Sequence, residues 1–266
     1  MKKIAVLIDF TQTCYKSVEF AQKVYEKSGA EIVLLHVSDD PEKEEEIVEQ
    51  VKSYANLLEE NNTPYTTLID YGKFFSTVEM AVAKSGADMV IVGTHGKSGL
   101  KQNLFGSNIL KLVQLLRVST LVVQDNSVYP ENGFDRILFP VAPNLDFDLK
   151  TRKVSDLAKI YSSKICLYTL EDHMTGFSVE VQNNLKKTKA ILDEEGLSYE
   201  QCMDESEEFS VGFARQTISF ANKNDIPLIS ILSNLAKVNT YYGKVDKENI
   251  LLNKHAIPVF CANDLE

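Results

Sequence analysis

The chain opens on Ile4-Ala5-Val6-Leu7-Ile8, a continuous apolar run that stops at Asp9. Such a run, rich in β-branched residues, predicts a strand buried on both faces, as in a parallel sheet. The polar Thr11-Gln12-Thr13 then leads into Tyr15, Val18, Ala21 and Tyr25 at helical spacing, and Gly29 stops that helix. Ile32 to Leu35 predicts a second strand, an acidic stretch from about Lys43 to Glu60 a long helix, and Tyr65 to Ile69 a third, less apolar strand. A helix over Phe74 to Lys84 and a strand over Met89 to Val92 follow. A helix over Ser107 to Arg117 carries Ile109, Leu112, Val113 and Leu116 on one face, and Leu121 to Val123 gives a fifth strand. Strands alternating with helices imply βαβ units and a parallel sheet.

After Val123 the pattern breaks and then begins again. Asn126 to Gly133 has the composition of a turn-rich linker. Arg136 to Val141 resembles the opening strand, Val154 to Tyr161 the first helix and Lys164 to Leu170 the second strand. Leu185 to Glu195, Phe213 to Asn222 and Ile226 to Leu232 continue the order, and Ile257 to Phe260 closes it. Glu248-Asn249-Ile250-Leu251 echoes Ser107-Asn108-Ile109-Leu110. A period of about 135 residues is too long for a solenoid and suits two tandem domains. The expected division is 1–126, a linker at 127–134, and 135–266.

Composition adds limits. The 266 residues are 44% hydrophobic and 25% charged, enough for each half to bury a core of its own. The net charge of −10 argues against nucleic acid and against an anionic membrane surface as partners. No apolar run approaches the roughly 18–20 residues that span a bilayer, and the opening run is short for a secretory signal, so the expected location is the cytoplasm. Cys14, Cys166, Cys202 and Cys261 lack metal-ligand spacing and read as reduced, mostly buried thiols. Glu42 to Glu46 reads as a solvated helix face.

One segment carries candidate chemistry. Gly93-Thr94-His95-Gly96-Lys97-Ser98-Gly99 follows a buried strand, and the stretch to Gly106-Ser107 ends in a helix. Glycines let backbone N–H groups approach an oxyanion, and a helix N-terminus adds unsatisfied donors and a positive dipole. Asp9, ending the first strand, would share that rim, where open α/β sheets bind ligands. Gly96-Lys97-Ser98 is not a Walker A ending, because Ile91 stands where its first glycine belongs. The Rossmann fingerprint and the nucleophile elbow are also absent. Plainer roles exist: Gly93 and Gly96 as turn residues, Ser107 as a bare N-cap, and Asp9 as a helix cap. His36 and His95 have no partner in a recognisable catalytic motif, and His173 has no metal-spaced partner.

The segment resembles the universal stress protein family, whose nucleotide-binding members carry G-x2-G-x9-G-[S/T]. Gly93, Gly96, Gly106 and Ser107 fit that spacing without a gap, and the strand ending in Asp9 is similar too. The resemblance covers residues 1–125 well and 134–263 weakly. It implies two open five-stranded parallel sheets, order 3-2-1-4-5, flanked by helices and related by a pseudo-twofold. It also implies ATP, alone or with Mg²⁺, in the first domain. Asp9 would lie near ribose and adenine, the backbone of Val37 would meet adenine, and Gly93, Gly96, Gly106, Ser107 and Asn108 would surround ribose and triphosphate. The second domain puts Ala142 at the position of Asp9, Ile231 at Gly93 and Lys247-Glu248 at Gly106-Ser107, so no ATP is expected there. Family members pair through the last strand, so Leu121 to Val123 should meet Ile257 to Phe260 within one chain; a further homodimer stays open. The expected function is that of a non-enzymatic, ATP-binding stress-response regulator. The alternatives are a ligand-free scaffold or interaction module, and a slow ATPase or phosphotransferase that lacks a general base and a metal-binding carboxylate pair.

Overall fold

The structure is a computed structural model and describes residues 1–95, 108–143, 147–171, 178–205, 213–233 and 244–263. The first half runs β1 (Lys3–Leu7), α1 (Thr13–Ser28), β2 (Glu31–Ser38), a 3-10 turn (Pro41–Lys43), α2 (Glu44–Ser53), α3 (Asn56–Glu60), β3 (Tyr65–Tyr71), α4 (Phe74–Ser85), β4 (Met89–Thr94), α5 (Ile109–Leu115) and β5 (Ser119–Gln124). The second runs β6 (Arg136–Pro140), α6 (Phe147–Tyr161), β7 (Lys164–Glu171), α7 (Val179–Glu194), β8 (Tyr199–Glu205), α8 (Phe213–Lys223), β9 (Ile229–Leu232), α9 (Lys244–Leu251) and β10 (Val259–Ala262).

These strands form one ten-stranded sheet, ordered β3-β2-β1-β4-β5-β10-β9-β6-β7-β8. Each half is parallel and repeats the order 3-2-1-4-5. Among the described strands only the seam is antiparallel, with Leu121 opposite Phe260 and Val122 opposite Val259. The pairing turns two sticky sheet edges into an interior ladder. Alternate residues of the strands feed two apolar layers. Ile4, Val6 and Ile8 enter one, and Ala5 and Leu7 the other. That two-faced burial is why the strands read as continuous apolar runs.

Local signals act as their chemistry dictates. Gly29 takes φ +69° after α1 and donates to the Tyr25 carbonyl, a left-handed C-cap. The expected long acidic helix is broken instead. At Tyr54 and Ala55 the backbone changes to i→i−3 bonds, and the Tyr54 ring turns in against Tyr15, with centroids 4.4 Å apart.

The segment between the halves is not a loose tether. Phe134 is fully buried and packs against Phe20, Tyr129 and Tyr161. Ser127 Oγ donates to the Ala256 carbonyl at 2.6 Å and accepts from Gln124 N at 2.9 Å. Among the described residues no helix is long and apolar enough to cross a membrane.

One expectation about the cysteines is corrected. Cys166 and Cys202 form a disulfide, while Cys14 and Cys261 are free and buried. The reason is tertiary. Cys166 on β7 and Cys202 on β8 lie 36 residues apart in sequence, but neighbouring parallel strands bring their Cα atoms to 5.9 Å, within disulfide range.

Candidate functional site

In the first half β1 is flanked by β2 on one side and β4 on the other. The chain order reverses there, and the carboxyl ends of strands at such a reversal are where open α/β sheets bind ligands. The rim begins at Asp9. Its Oδ1 accepts from Thr11 N at 3.1 Å, Thr11 Oγ1 at 2.6 Å and Cys14 Sγ at 3.1 Å. Burial, with the Asp9 charge second, pushes the Cys14 thiol up to about 12, so it stays protonated. Asp9 thus has the local role of turning the chain into α1, a role compatible with facing a ligand.

Phe10, the next residue, takes φ +61°, rare for a bulky side chain. The turn sets its ring 4.2 Å from that of buried His36, whose Nδ1 lies 2.7 Å from the Ile8 carbonyl. Burial pulls the His36 pKa down, against the Ile8 hydrogen bond and the Asp9 charge. Ile8 N donates to the Leu35 carbonyl, so Leu35 faces β1 with its peptide groups. Alternate residues of a strand face the same neighbour, so Val37 presents its peptide groups on that side beyond the end of β1.

Gly93, in β4, stands where α1 crosses the sheet. A Cβ there would lie 2.5 Å from Thr13 Cγ2 and 2.9 Å from Ser17 Oγ. The missing side chain is what lets α1 approach β4. Beyond it, His95 Nδ1 lies 2.9 Å from Thr13 Oγ1 and 2.5 Å from Asp125 Oδ2, and Thr13 also donates to Asp125. Among the described residues both contacts fall on Nδ1. The cluster ties α1, β4 and β5 together. Beside it a groove of about 340 Å³ runs along Gln12, Tyr15, Tyr54 and Asp125. Sequence reasoning missed Thr13 and Asp125, although Asp125 follows β5 as Asp9 follows β1.

The remaining site residues divide. Asn108 precedes α5 with φ −119° and makes no side-chain cap. Gly96, Gly106 and Ser107, with Lys97, lie outside the described residues.

The second half matches the first element by element and differs at this rim. Val141 N donates to the Tyr168 carbonyl as Ile8 N does to Leu35, which puts Ala142 at the place of Asp9. Ala142 is buried, and its carbonyl accepts from Asn184 Nδ2 at 2.8 Å. The expected match of Ile231 to Gly93 is shifted by one. Leu138 on β6 pairs with Ile229, as Ala5 on β1 pairs with Val90, so Leu232 is the residue opposite Gly93. A one-residue slip changes the face a side chain enters. Accordingly, Leu232 joins the layer of Phe147 on α6, and Ile231 the other layer.

Comparison with known proteins agrees with this fold. Residues 1–124 match the model of the universal stress protein family. A universal stress protein from Archaeoglobus fulgidus superimposes with a TM-score of 0.69 at 14% identity, over 98% of this chain and 96% of that one. A putative universal stress protein from Pseudomonas aeruginosa gives 0.66 at 14%, over 99% and 93%. The cytoplasmic domain of a prokaryotic cation chloride cotransporter gives 0.55 at 11%, over 99% and 95%. At such identities the likeness is one of fold, and it extends through both halves. Comparison with curated protein sequences gives no match.

Proposed function

We propose, from the match of residues 1–124 to the universal stress protein family, that the chain is a regulatory stress protein binding one ATP, alone or with Mg²⁺, in its first domain (residues 1–126). The degenerate second domain (135–266), reached through the 127–134 segment, takes none. The observation that carries this is the asymmetry of the two crevices. In the first, Asp9 and the peptide groups of Val37 stand at the end of β1, beside the strand that leads into Gly96, Gly106 and Ser107. In the second, Ala142 and Leu232 replace Asp9 and Gly93. Asp9 and the Val37 backbone would face the base and ribose, and the glycine loop with Ser107 and Asn108 the phosphates. Occupancy would then shift the order of that loop or the affinity for a partner.

Calorimetry with ATP on the full chain tests this and should give one site per chain. Gly106→Asp, which sets a Cβ and a carboxylate where phosphate is expected, should weaken binding at least tenfold, or about 1.4 kcal/mol. Ser107→Ala should weaken it about fivefold, the worth of one hydrogen bond. Circular dichroism checks the fold of each variant.

A second reading, a ligand-free scaffold, draws on one observation: Gly93 is already required by the approach of α1. Under it, excess ATP leaves the melting temperature unchanged. Under the nucleotide reading, ATP raises it.

A further inference from the structure

The two halves correspond residue by residue. The pairings of β1 with β4 and of β6 with β9 match Val90 to Ile229, which makes Leu121 and Phe260 counterparts. These two face each other across the seam, so the pseudo-twofold passes between them. Glu31 N donates to the Lys2 carbonyl as Lys164 N does to that of Asp135, so Met1 corresponds to Phe134. Gly29 and Ser162 follow α1 and α6 with φ +69° and +53°. Counted back from them, Phe20 corresponds to Lys153 and Val24 to Leu157.

One flank of the seam is filled by rings. Phe20 and Phe134 are fully buried, and the Phe20 centroid lies 5.3 Å from that of Tyr129 and 6.4 Å from that of Phe134. Tyr129 and Phe134 belong to the segment that joins the halves. The other flank lies between α6 and the amino ends of β4 and β5. It has half-buried Lys153 in place of Phe20 and exposed Met1 in place of Phe134. A recess of about 260 Å³ remains there, and Phe260 is its one aromatic wall among the described residues. Its floor is apolar, with Met89, Leu157 and Phe260 all buried. Its rim carries both signs, Arg117 against Asp88 and Asp156.

We propose that this recess binds a small molecule with one aromatic ring, an ammonium and a carboxylate, the class of the aromatic amino acids. The ring takes the place that Tyr129 fills on the other flank, and its apolar area supplies most of the affinity. The rim supplies the selection. Arg117 pairs with Glu79 at 3.2 Å through one of its five donors, so its guanidinium can still take a carboxylate. Exposed Asp156 on α6 and Asp88 before β4 face an ammonium. Exposed charges add little affinity, but a ligand of one sign alone meets like charges on the rim.

The recess lies at the end of β4 opposite to the glycine loop, so the site is independent of the nucleotide reading. L-phenylalanine and L-tyrosine are titrated at millimolar concentration into the full chain without nucleotide, and ligand-detected NMR gives the readout. Both should bind, and benzoate and benzylamine, with one charge each, should bind about threefold more weakly or worse. Lys153→Phe, which sets a ring where Phe20 has one, and Ile160→Phe, on the same wall, should each weaken binding roughly tenfold or more. Asp156→Ala, an exposed change that serves if a filling variant does not fold, should weaken it about two- to fivefold. Gly106→Asp should leave it intact. A parent chain that binds neither amino acid overturns the proposal. So does binding that survives both filling substitutions, that disappears with Gly106→Asp, or that is equalled by the singly charged analogues. Binding that appears only after deletion of residues 264–266 gives the recess to the chain's own tail and overturns it as well.

Discussion

The two halves share one strand order and close its central crevice in opposite ways. In the first, Gly93 admits α1 against β4, and the edge above is polar: Asp9, Thr13, His95 and Asp125. In the second, Leu232 fills the place of Gly93, Ala142 replaces Asp9, and buried lysines come in from α6 and α9. The contrast teaches that the fold tolerates either filling, because helices and sheet are held by the apolar layers beneath. What the crevice can bind depends on a few positions at its edge.

The largest test removes the second half's filling. Leu232→Ala should cost about 2–5 kcal/mol, the usual range for a buried leucine, measured by urea unfolding. A cost below 1 kcal/mol would show that Leu232 does not pack as described.

The disulfide sharpens the comparison next. Cys166 and Cys202 staple β7 to β8 across 36 residues, and the first half's described cysteine, Cys14, is free. Reduction, or Cys202→Ala, should remove about 2–4 kcal/mol from the second half. Hydrogen exchange should rise in β7 and β8 and not in β2 and β3.

Gly93→Ala follows. Its Cβ meets Thr13 and Ser17, so about 1–3 kcal/mol of overpacking is expected, partly relieved by adding Thr13→Ser, which deletes the Cγ2 it strikes. Equal stability of the single variant and the parent would refute the close approach of α1.

Between the halves, Asn263 donates to the Val113 carbonyl at 3.2 Å and also to the Leu116 carbonyl. Asn263→Ala should cost about 1–2 kcal/mol by leaving buried carbonyls unpaired. Chemical denaturation with separate probes of each half shows whether that loss falls on both together.

The smallest expected effect is a pH dependence confined to the first half. Burial lowers the His36 pKa, while an unfolded histidine titrates near 6.5. Below about 6.5 the unfolded chain binds the proton more readily, so this contribution is whole above that pH and is lost as pH falls toward the folded value. Thr169 holds the corresponding place in β7, as the pairing of Tyr168 with Val141 shows, and does not titrate. His36→Thr should flatten the stability profile between pH 7 and 5. An unchanged slope would place the titration elsewhere.

Much of this was legible in the residues. β1, β2, β4, β5 and β6 each bury two faces, so their central residues stand out as apolar runs. β8 gave no such signal, because an edge strand of Tyr, Glu, Gln, Cys, Met and Asp has one neighbour and faces solvent. The helix break at Tyr54 was hidden because propensity and charge favour helix throughout; packing against Tyr15 decides it. At the candidate site, Asp9 was read from the strand it follows, and Val37 was implied by the family resemblance. Thr13 and Asp125 are distant in sequence and meet His95 only because three elements share an edge.

The sequence by itself determined the duplication, the βαβ order and the loss of Asp9 and the glycines from the second half. Those are matters of periodicity and residue type, which the chain carries locally. Tertiary structure alone decided the antiparallel register of β5 on β10, the disulfide, the identity of Leu232 as the counterpart of Gly93, and the burial of Lys150 and Lys247. Each depends on strand register and on which elements become neighbours, and both are fixed only when the two apolar layers close together.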